Sequence, residues 1–245
     1  MTDLELARHL ASIADEVALP YASGYVSMQW KADGSPVTAA DLAVDAALRE
    51  ELARHRPEDA VLTEEDGLSG AIGSTRRWLI DPIDGTSYFI DGLPAWGAHV
   101  ALEVDGTIEV AVITRPMLGL SWYASRGAGA FRSDSAAPIR VSTTASIEDA
   151  RIGGYVWSRP EIPSRVNRVA RWVASSSPTL ALLDGELDAV IGKGGFAWDL
   201  APAVLLVAEA GGRYTDPDGG ARYDMQASVA SNGVLHDAVC ALAYP

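Results

Sequence analysis

Apolar residues first recur along this chain at helical intervals. Leu4, Ala7, Leu10, Ala14 and Val17 share one face, which predicts an amphipathic helix ending before Pro20. A polar loop, Lys31 to Pro36, follows. Val37-Thr38-Ala39-Ala40-Asp41 then opens a second helix, with Val44, Ala47, Leu48 and Leu52 available to pack on one side. Thr38 and Asp41 fit a capping box in which Asp stands for the usual Glu or Gln. Beyond residue 60 the period shortens. Val61-Leu62-Thr63 and Arg77-Trp78-Leu79-Ile80 read as short strands, each ending in acids, and Trp96 to Phe131 alternates apolar runs with turns at Asp105-Gly106 and Met117-Leu118-Gly119. That is the pattern of an antiparallel sheet. Ser133 to Pro138 is the best candidate linker. After it come a strand at Ile139-Arg140-Val141, a helix over Arg165 to Val173, a strand over Leu187 to Ile191, and a strong helix from Asp199 to Ala210 stopped by Gly211-Gly212. No internal repeat interrupts this order. The expected fold is α+β leading into α/β, in two closely packed halves, 1–137 and 138–245.

The chemistry is concentrated in one string, Asp81-Pro82-Ile83-Asp84-Gly85-Thr86. It places two carboxylates three residues apart at the end of the apolar run Trp78-Leu79-Ile80, where layered α/β folds deliver ligands from strand ends. Two carboxylates and a bent, exposed carbonyl make an all-oxygen site that suits Mg²⁺ or Mn²⁺ better than zinc. Glu64-Glu65-Asp66 lies upstream and Asp199 far downstream. A plain turn, with Asp capping a helix that begins near Gly85, accounts for one carboxylate but not for the whole set. Like-charged acids are costly to gather unless a cation neutralises them. A helix start would also aim the Gly85 and Thr86 amides at a phosphate. Thr86 could hold a water with Glu64 as its base, although a bare cap is as good a reading of Thr86 alone. Arg126 to Phe131 lacks the spacing and the following helix of a phosphate loop and reads as a turn between strands. The combination points to a metal-dependent phosphate enzyme.

Composition narrows the partners. The chain has 245 residues, is 48% hydrophobic and carries a formal charge of −14, which argues against a nucleic-acid partner. A small anionic substrate stays compatible, because divalent cations invert the charge of an acidic pocket. Cys240 is the only cysteine, so a disulfide framework and a thiolate zinc site are excluded. His9, His55, His99 and His236 show no metal-ligand spacing, which leaves carboxylates to carry the chemistry. The first residues lack the basic start and apolar core of a signal peptide, and no apolar run is long enough to span a bilayer. No membrane partner and a cytoplasmic location are the expectation.

The residues resemble those of the inositol monophosphatase superfamily, the Mg²⁺-dependent, lithium-sensitive phosphatases of small molecules. Pro36 to Asp41, Glu64-Glu65, Asp81 to Thr86, Gly127 to Phe131, Trp198-Asp199-Leu200-Ala201 and Glu209 to Gly212 carry the likeness, in order and nearly end to end. The resemblance implies a layered α-β-α-β-α sandwich, commonly a homodimer. It implies Glu64, Asp81 and the Ile83 carbonyl on a first Mg²⁺, then Asp81, Asp84 and Asp199 on a second. Glu64 would help to hold a third, weaker ion, and Mn²⁺ could substitute. Thr86, backed by Asp41, would polarise the attacking water alongside Glu64. Asp84 would also bind the substrate, the amides of Gly85 and Thr86 would grip its phosphate, and hydrolysis would need no covalent enzyme intermediate.

Softer motifs look like the histidinol-phosphate phosphatases within that superfamily. They are Arg56 to Asp59, Leu93 to Trp96, Ser121 to Arg126 and Asn232 to Asp237. The substrate side departs from the pattern. Seven residues before Asp199, where relatives commonly carry a Glu that binds hydroxyl or amine groups, stands Gly192, next to Lys193. The loop before the next helix reads Ala174-Ser175-Ser176-Ser177-Pro178, and Pro178 is expected to disturb the helix start. The segment from Arg151 to Arg171 is short for the family. Ser175, Ser176 and Lys193 are therefore the expected remodellers of the substrate pocket. The expected substrate is a small phosphorylated metabolite, with histidinol phosphate and cyclitol or sugar phosphates leading. A nucleotide 3′-phosphatase, using Trp96, Trp157 and Arg159, is the alternative in the same chemistry. A non-catalytic metal- or phosphate-binding protein is the alternative from another class.

Overall fold

A computed structural model describes residues 1–22, 27–31, 34–156 and 159–244. Helix α1 (Asp3–Ala22) leads through a small hairpin, β1 (Met28–Trp30) and β2 (Pro36–Thr38), into α2 (Ala39–His55). Seven strands build the first sheet: β3 (Ala60–Thr63), β4 (Gly67–Gly70), β5 (Arg76–Asp84), β6 (Gly97–Val104), β7 (Thr107–Arg115), β8 (Leu120–Ser125) and β9 (Gly129–Arg132). Their order is β4-β3-β5-β6-β7-β8-β9, with β3 parallel to β5 and every other pair antiparallel. A short helix, α3 (Thr86–Ile90), lies between β5 and β6. The rest of the chain adds β10 (Arg151–Tyr155), α4 (Glu161–Val166), β11 (Arg171–Trp172), α5 (Pro178–Leu183), β12 (Ala189–Lys193) and α6 (Ala197–Glu209). It ends with β13 (Arg213–Thr215), β14 (Ala227–Ser231) and α7 (His236–Ala243). Its five strands form a second sheet, β11-β10-β12-β14-β13.

Three apolar cores explain the layering. One joins α1 and α2 to one face of the first sheet, through Leu6, Leu10, Leu48, Trp78, Ile80 and Val100. The middle core joins the other face of that sheet to α5, α6 and the second sheet, through Leu79, Ala101, Ile113, Val190, Leu205 and Ala230. The outer core packs α4 and α7 on the far side of the second sheet, through Ile152, Ile162, Ile191, Val229 and Val239. Strand periodicity does the sorting: Ile80 and Val100 face outward to α1 and α2, while their neighbours Leu79 and Ala101 face the middle layer. Both faces of each sheet are covered, so the strands read as apolar runs rather than clean alternation. The result is an α-β-α-β-α sandwich.

The local signals near the N-terminus held. Thr38 Oγ1 accepts the Ala40 and Asp41 amides, and Asp41 Oδ2 accepts the Thr38 amide at 2.8 Å, closing the capping box. The turn at Asp105-Gly106 has both residues left-handed, at φ 50° and 78°, as a two-residue hairpin requires.

Five expectations need correction. Helix α1 does not stop before Pro20 but carries it in its last turn, where a missing N–H removes a single bond. Ile139 to Val141 is no strand: Ile139 donates to the Ala130 carbonyl and Val141 to that of Ala210, single ties to two elements rather than a ladder. The helix expected over Arg165 to Val173 ends at Val166, and Arg171-Trp172 pairs with β10 instead. That stretch holds three β-branched valines, and its Trp172 is partly buried against the outer core. The strand expected over Leu187 to Ile191 sits two residues later. Pro178 does not disturb a helix but begins α5, at the first helical position, where no N–H is needed.

Candidate functional site

Strand β5 runs inside the first sheet, between β3 and β6, and ends in the acidic string. Its ladder with β6 is regular down to Asp81, which faces His99, and resumes only at Asp84 opposite Gly97. One extra residue on β5 makes a bulge there, and bulges re-aim side chains next to active sites. Asp81 is 3% exposed, and its Oδ1 accepts the Ile83 amide at 3.0 Å, fixing the bend. Gly85 then turns the chain at φ 83° into α3. A Cβ there would meet the Ala95 carbonyl at 2.7 Å, so glycine is needed both for the turn and for the close approach.

Two neighbours bring the remaining acids. Parallel pairing of β3 with β5 sets Thr63 beside Ile80, and the Glu64 amide donates to the Ile80 carbonyl at 3.1 Å. Glu64 therefore follows directly beside Asp81. Asp199 comes from the first turn of α6, held by the Phe196 amide on its Oδ2 at 2.6 Å. It is the third residue of that helix rather than the cap. Carboxylate oxygens of Glu64, Asp81 and Asp199 all lie within 4.8 Å of one another.

Such crowding shows in the protonation of the group. Burial, and then the charges of Glu64, Asp199, Asp84 and Asp41, push the Asp81 carboxyl far above the usual range. Burial, with the Asp84 and Glu64 charges, raises Asp199 to about 7. Burial raises Asp41 as well, against its bonds to Thr38. Oxygen-only donors that repel one another at close range are the chemistry a hard divalent cation stabilises, so these residues fit Mg²⁺ or Mn²⁺.

Asp84 differs. Burial alone would raise its carboxyl, but His99 and Arg115 outweigh burial and hold it well below the usual range. Arg115 Nη2 donates to Asp84 Oδ2 at 3.0 Å, Nη1 to the Thr114 carbonyl at 2.8 Å, and Nε to Ser177 Oγ at 3.3 Å. The Arg115 side chain is 4% exposed. His99 Nε2 lies 3.2 Å from the same Asp84 oxygen, at ion-pair distance but without hydrogen-bond alignment.

The other residues singled out in the sequence take these places. Thr86 Oγ1 donates to the Ile83 carbonyl at 3.2 Å and to Asp41 Oδ1 at 3.4 Å, joining the start of α3 to the start of α2. Ser175 and Ser176 line a surface groove with Ser177, Pro94 and Arg115, on the far side of the guanidinium from the carboxylates. Lys193 turns its ammonium onto the Tyr244 ring, 3.8 Å from the centroid. Trp96 is 1% exposed and packs edge-on against Phe89, so it offers no free face for a base. Arg159 pairs with Glu161, and Trp157 lies outside the described residues.

Three residues were missed by sequence reasoning. Lys31 Nζ reaches Glu64 Oε1 at 2.6 Å and Glu65 Oε1 at 2.8 Å. His99 was set aside for lack of ligand spacing, yet it is the cross-strand partner of Asp81. Arg115 ends β7, two strands away from Asp84 in the sheet order. A hairpin register between Trp78-Leu79-Ile80 and His99-Val100 would have exposed His99; nothing local marks Arg115.

A five-layer sandwich in which the Glu64, Asp81 and Asp199 carboxylates converge beyond the end of β5 is an architecture suited to metal-dependent hydrolysis of phosphate esters. Residues 2–244 match the sequence pattern of the inositol monophosphatase family. A Streptomyces griseus protein named glucose-1-phosphate thymidylyltransferase is 48% identical over 231 residues, covering 91% of this chain and 89% of that protein. A Mycobacterium tuberculosis histidinol-phosphatase is 39% identical over 253 residues, covering 97% and 96%. Among solved structures, a Thermotoga maritima IMPase superposes with a TM-score of 0.90 at 27% identity, covering 99% of this chain and 97% of that one. The chain belongs to the inositol monophosphatase family. It is a phosphomonoester hydrolase. Among the described residues no helix is long and apolar enough to cross a membrane.

Proposed function

We propose that this chain hydrolyses the phosphomonoester of a small metabolite with Mg²⁺, histidinol phosphate and cyclitol or sugar phosphates being the leading substrates. The observation that supports it most is the mutual approach of the Glu64, Asp81 and Asp199 carboxylates around a buried strand end. Two or three Mg²⁺ ions, or Mn²⁺ in their place, would be held by Glu64, Asp81, the Ile83 carbonyl, Asp84 and Asp199. When bound, they supply charge neutralisation for the phosphoryl oxygens and a more acidic water. The protein does the rest. Glu64 takes the water proton, once Lys31 releases it from their ion pair. The Thr86 hydroxyl, held by Asp41, orients that water. Gly85 and Thr86 amides receive the phosphoryl oxygens, and Asp84 fixes the substrate from the side that Arg115 braces. In-line attack expels the alcohol without a covalent enzyme intermediate.

The likeness to a histidinol-phosphatase favours that substrate, while Gly192 removes the charge partner an amine would use. Among the described residues, nothing at the site favours the nucleotide 3′-phosphatase reading. We also take the assembly to be a homodimer, to be checked by light scattering.

The test is phosphate release with Mg²⁺ from histidinol phosphate, inositol 1-phosphate, sugar phosphates and adenosine 3′,5′-bisphosphate. A parallel arm offers glucose 1-phosphate with dTTP. One ester turned over far above the rest supports the reading and names the substrate. Pyrophosphate release in the last arm, with no ester hydrolysed, would replace hydrolysis by nucleotidyl transfer. Metal and phosphate binding without either turnover would leave a non-catalytic binding protein.

A further inference from the structure

Strand β12 divides two environments at its last residues. Gly192 lines the cavity between Asp84 and Asp199, on the catalytic side of the second sheet. Lys193, the next residue, points to the opposite face, because strand side chains alternate. There its ammonium lies 3.8 Å from the centre of the Tyr244 ring, which packs against the outer core. Among the described residues no carboxylate pairs with it, and burial, Arg159 and Arg165 all hold its pKa below the usual lysine range.

The surroundings repeat that imbalance. Arg165, in the last turn of α4, keeps its Nε buried without a hydrogen-bond partner, and the Tyr244 hydroxyl is buried without one too. Native interiors rarely strand such donors. Arg159, just before α4, donates its Nε to Glu161 at 2.5 Å. Asp216 lies near Tyr244, but its two oxygens accept the amides of Asp218, Gly220 and Arg222. Lys193, Arg159 and Arg165 therefore gather with one available carboxylate, Glu161, and two positive charges stay unanswered. Gathering like charges costs free energy unless an opposite charge offsets it.

We propose that Lys193, Arg165, Arg159 and Tyr244 form a second anion site, on the outer layer of the sandwich, for a phosphate group. Charge selects the class. Two unanswered positive charges match a phosphate dianion, whereas a carboxylate brings a single negative charge. The donors fit as well, since guanidinium, ammonium and phenol groups present N–H and O–H bonds to tetrahedral oxygens. The second sheet stands between this site and the strand-end carboxylates, so the occupant is not the ester being hydrolysed. It is free phosphate, or the phosphate of another metabolite, held away from the reacting centre. The chain supplies a route back. Beyond Lys193, Gly194 and Gly195 turn at φ 115° and 91° into α6, and a Cβ on Gly195 would lie 3.3 Å from Asp199 Oδ2. An anion that anchors Lys193 thus tethers the turn that places Asp199.

Calorimetry at pH 8 with saturating Mg²⁺ counts the phosphate ions bound per chain. Inorganic phosphate should fill two sites in the wild type and one in Lys193→Met, which keeps an aliphatic stem on Tyr244 and drops the charge. Asp81→Asn, which disables the metal centre, should retain the outer site alone. In that background Arg165→Gln should weaken phosphate at least about tenfold, and acetate should bind at least about tenfold more weakly than phosphate. Glycerol 2-phosphate, titrated into Asp81→Asn so that it is not hydrolysed, separates the sources. Tighter binding than inorganic phosphate assigns the site to a phosphorylated metabolite, and weaker binding assigns it to free phosphate. Thermal melting checks that each variant is folded; Arg165→Gln and Tyr244→Phe carry the test if Lys193→Met is not. One phosphate in the wild type, lost in Lys193→Met and kept in Asp81→Asn, would sustain the outer site and count against the metal-centred reading. No phosphate bound by Asp81→Asn, or binding there that survives Lys193→Met and Arg165→Gln alike, would overturn the outer site and leave the hydrolase untouched.

Discussion

Asp81 and Asp84 stand three residues apart at one strand end and live under opposite electrostatics. Asp81 is surrounded by other acids, with Glu64 and Asp199 oxygens inside 4.8 Å, and burial and repulsion both push it towards protonation. Asp84 is matched by a fixed guanidinium at 3.0 Å and a histidine at 3.2 Å, and stays ionised. The charge opposite Asp84 is folded into the protein. Most of the charge opposite Asp81 has to be brought in, since Lys31 answers Glu64 and Glu65 only. One acidic string therefore carries two functions: a demand for an exchangeable cation, and a rigid wall on which the substrate side can be built.

Removing either partner separates the two. Asp81→Asn is expected to have the largest effect on activity, lowering kcat by at least about a thousandfold and abolishing Mn²⁺ binding in calorimetry. In chelator its thermal midpoint should hold or rise, because a buried repulsion has been removed. A fall in midpoint there would show that Asp81 is structural and break the contrast. Arg115→Ala should act the other way. It strands Asp84, partly exposed, so the loss is set below the range for fully buried pairs, at roughly 2–3 kcal/mol in urea unfolding. Recovery in Arg115→Lys should be incomplete, since an ammonium cannot hold Thr114, Ser177 and Asp84 with one planar fork.

How far this contrast was legible in the sequence follows from where each signal lives. Asp81 and Asp84 sit in one short string, and Thr38 and Asp41 in one capping box, so local spacing was enough for both. Glu64 and Asp199 needed the chain to come together, and the family resemblance supplied what spacing could not. Arg115 and His99 had neither aid. His99 reaches the site through the β5–β6 register, which a bulge of one residue re-sets between Asp81 and Asp84. Arg115 arrives from a strand not paired with β5 at all. Arg171-Trp172 failed for a related reason: a two-residue strand gains its identity from β10, not from itself. Side chains that act through pairing across a sheet leave no periodic trace, whereas caps and strand-end motifs do.

The contrast also fixes a pH dependence. Asp199, at about 7, and Glu65, which burial raises to about 7, bind protons in the folded chain that the unfolded chain releases near pH 4. Their contribution is fully present below pH 4 and is lost as pH climbs to 7, since the unfolded state then binds fewer protons than the folded one. Asp84 has the reverse sign, contributing stability above pH 4 and losing it in stronger acid. In chelator, stability should therefore fall by roughly 1–3 kcal/mol between pH 5 and 8. Saturating Mg²⁺ should cancel that fall, because the cation favours the ionised acids. Parallel melting curves with and without Mg²⁺ would show it; identical pH slopes would mean the acids are not gathered as described.

The smallest effect lies one step behind the site. Thr38 is 1% exposed, caps α2 and holds Asp41, whose other oxygen lies 3.4 Å from Thr86 Oγ1. Thr38→Ala should cost about 1 kcal/mol of stability as a lost cap. It should also free Asp41, and through it Thr86, so kcat should fall severalfold with KM little changed. Thr38→Ser keeps the hydroxyl and should restore kcat while recovering only part of the stability, because the methyl group is lost from a buried position. If kcat followed stability through both variants, the Thr38–Asp41–Thr86 chain would be a fold contact alone. If Ser restored kcat in full, the helix cap and the water-orienting hydroxyl would belong to one hydrogen-bonded unit, tying the start of α2 to the Asp81 side of the site.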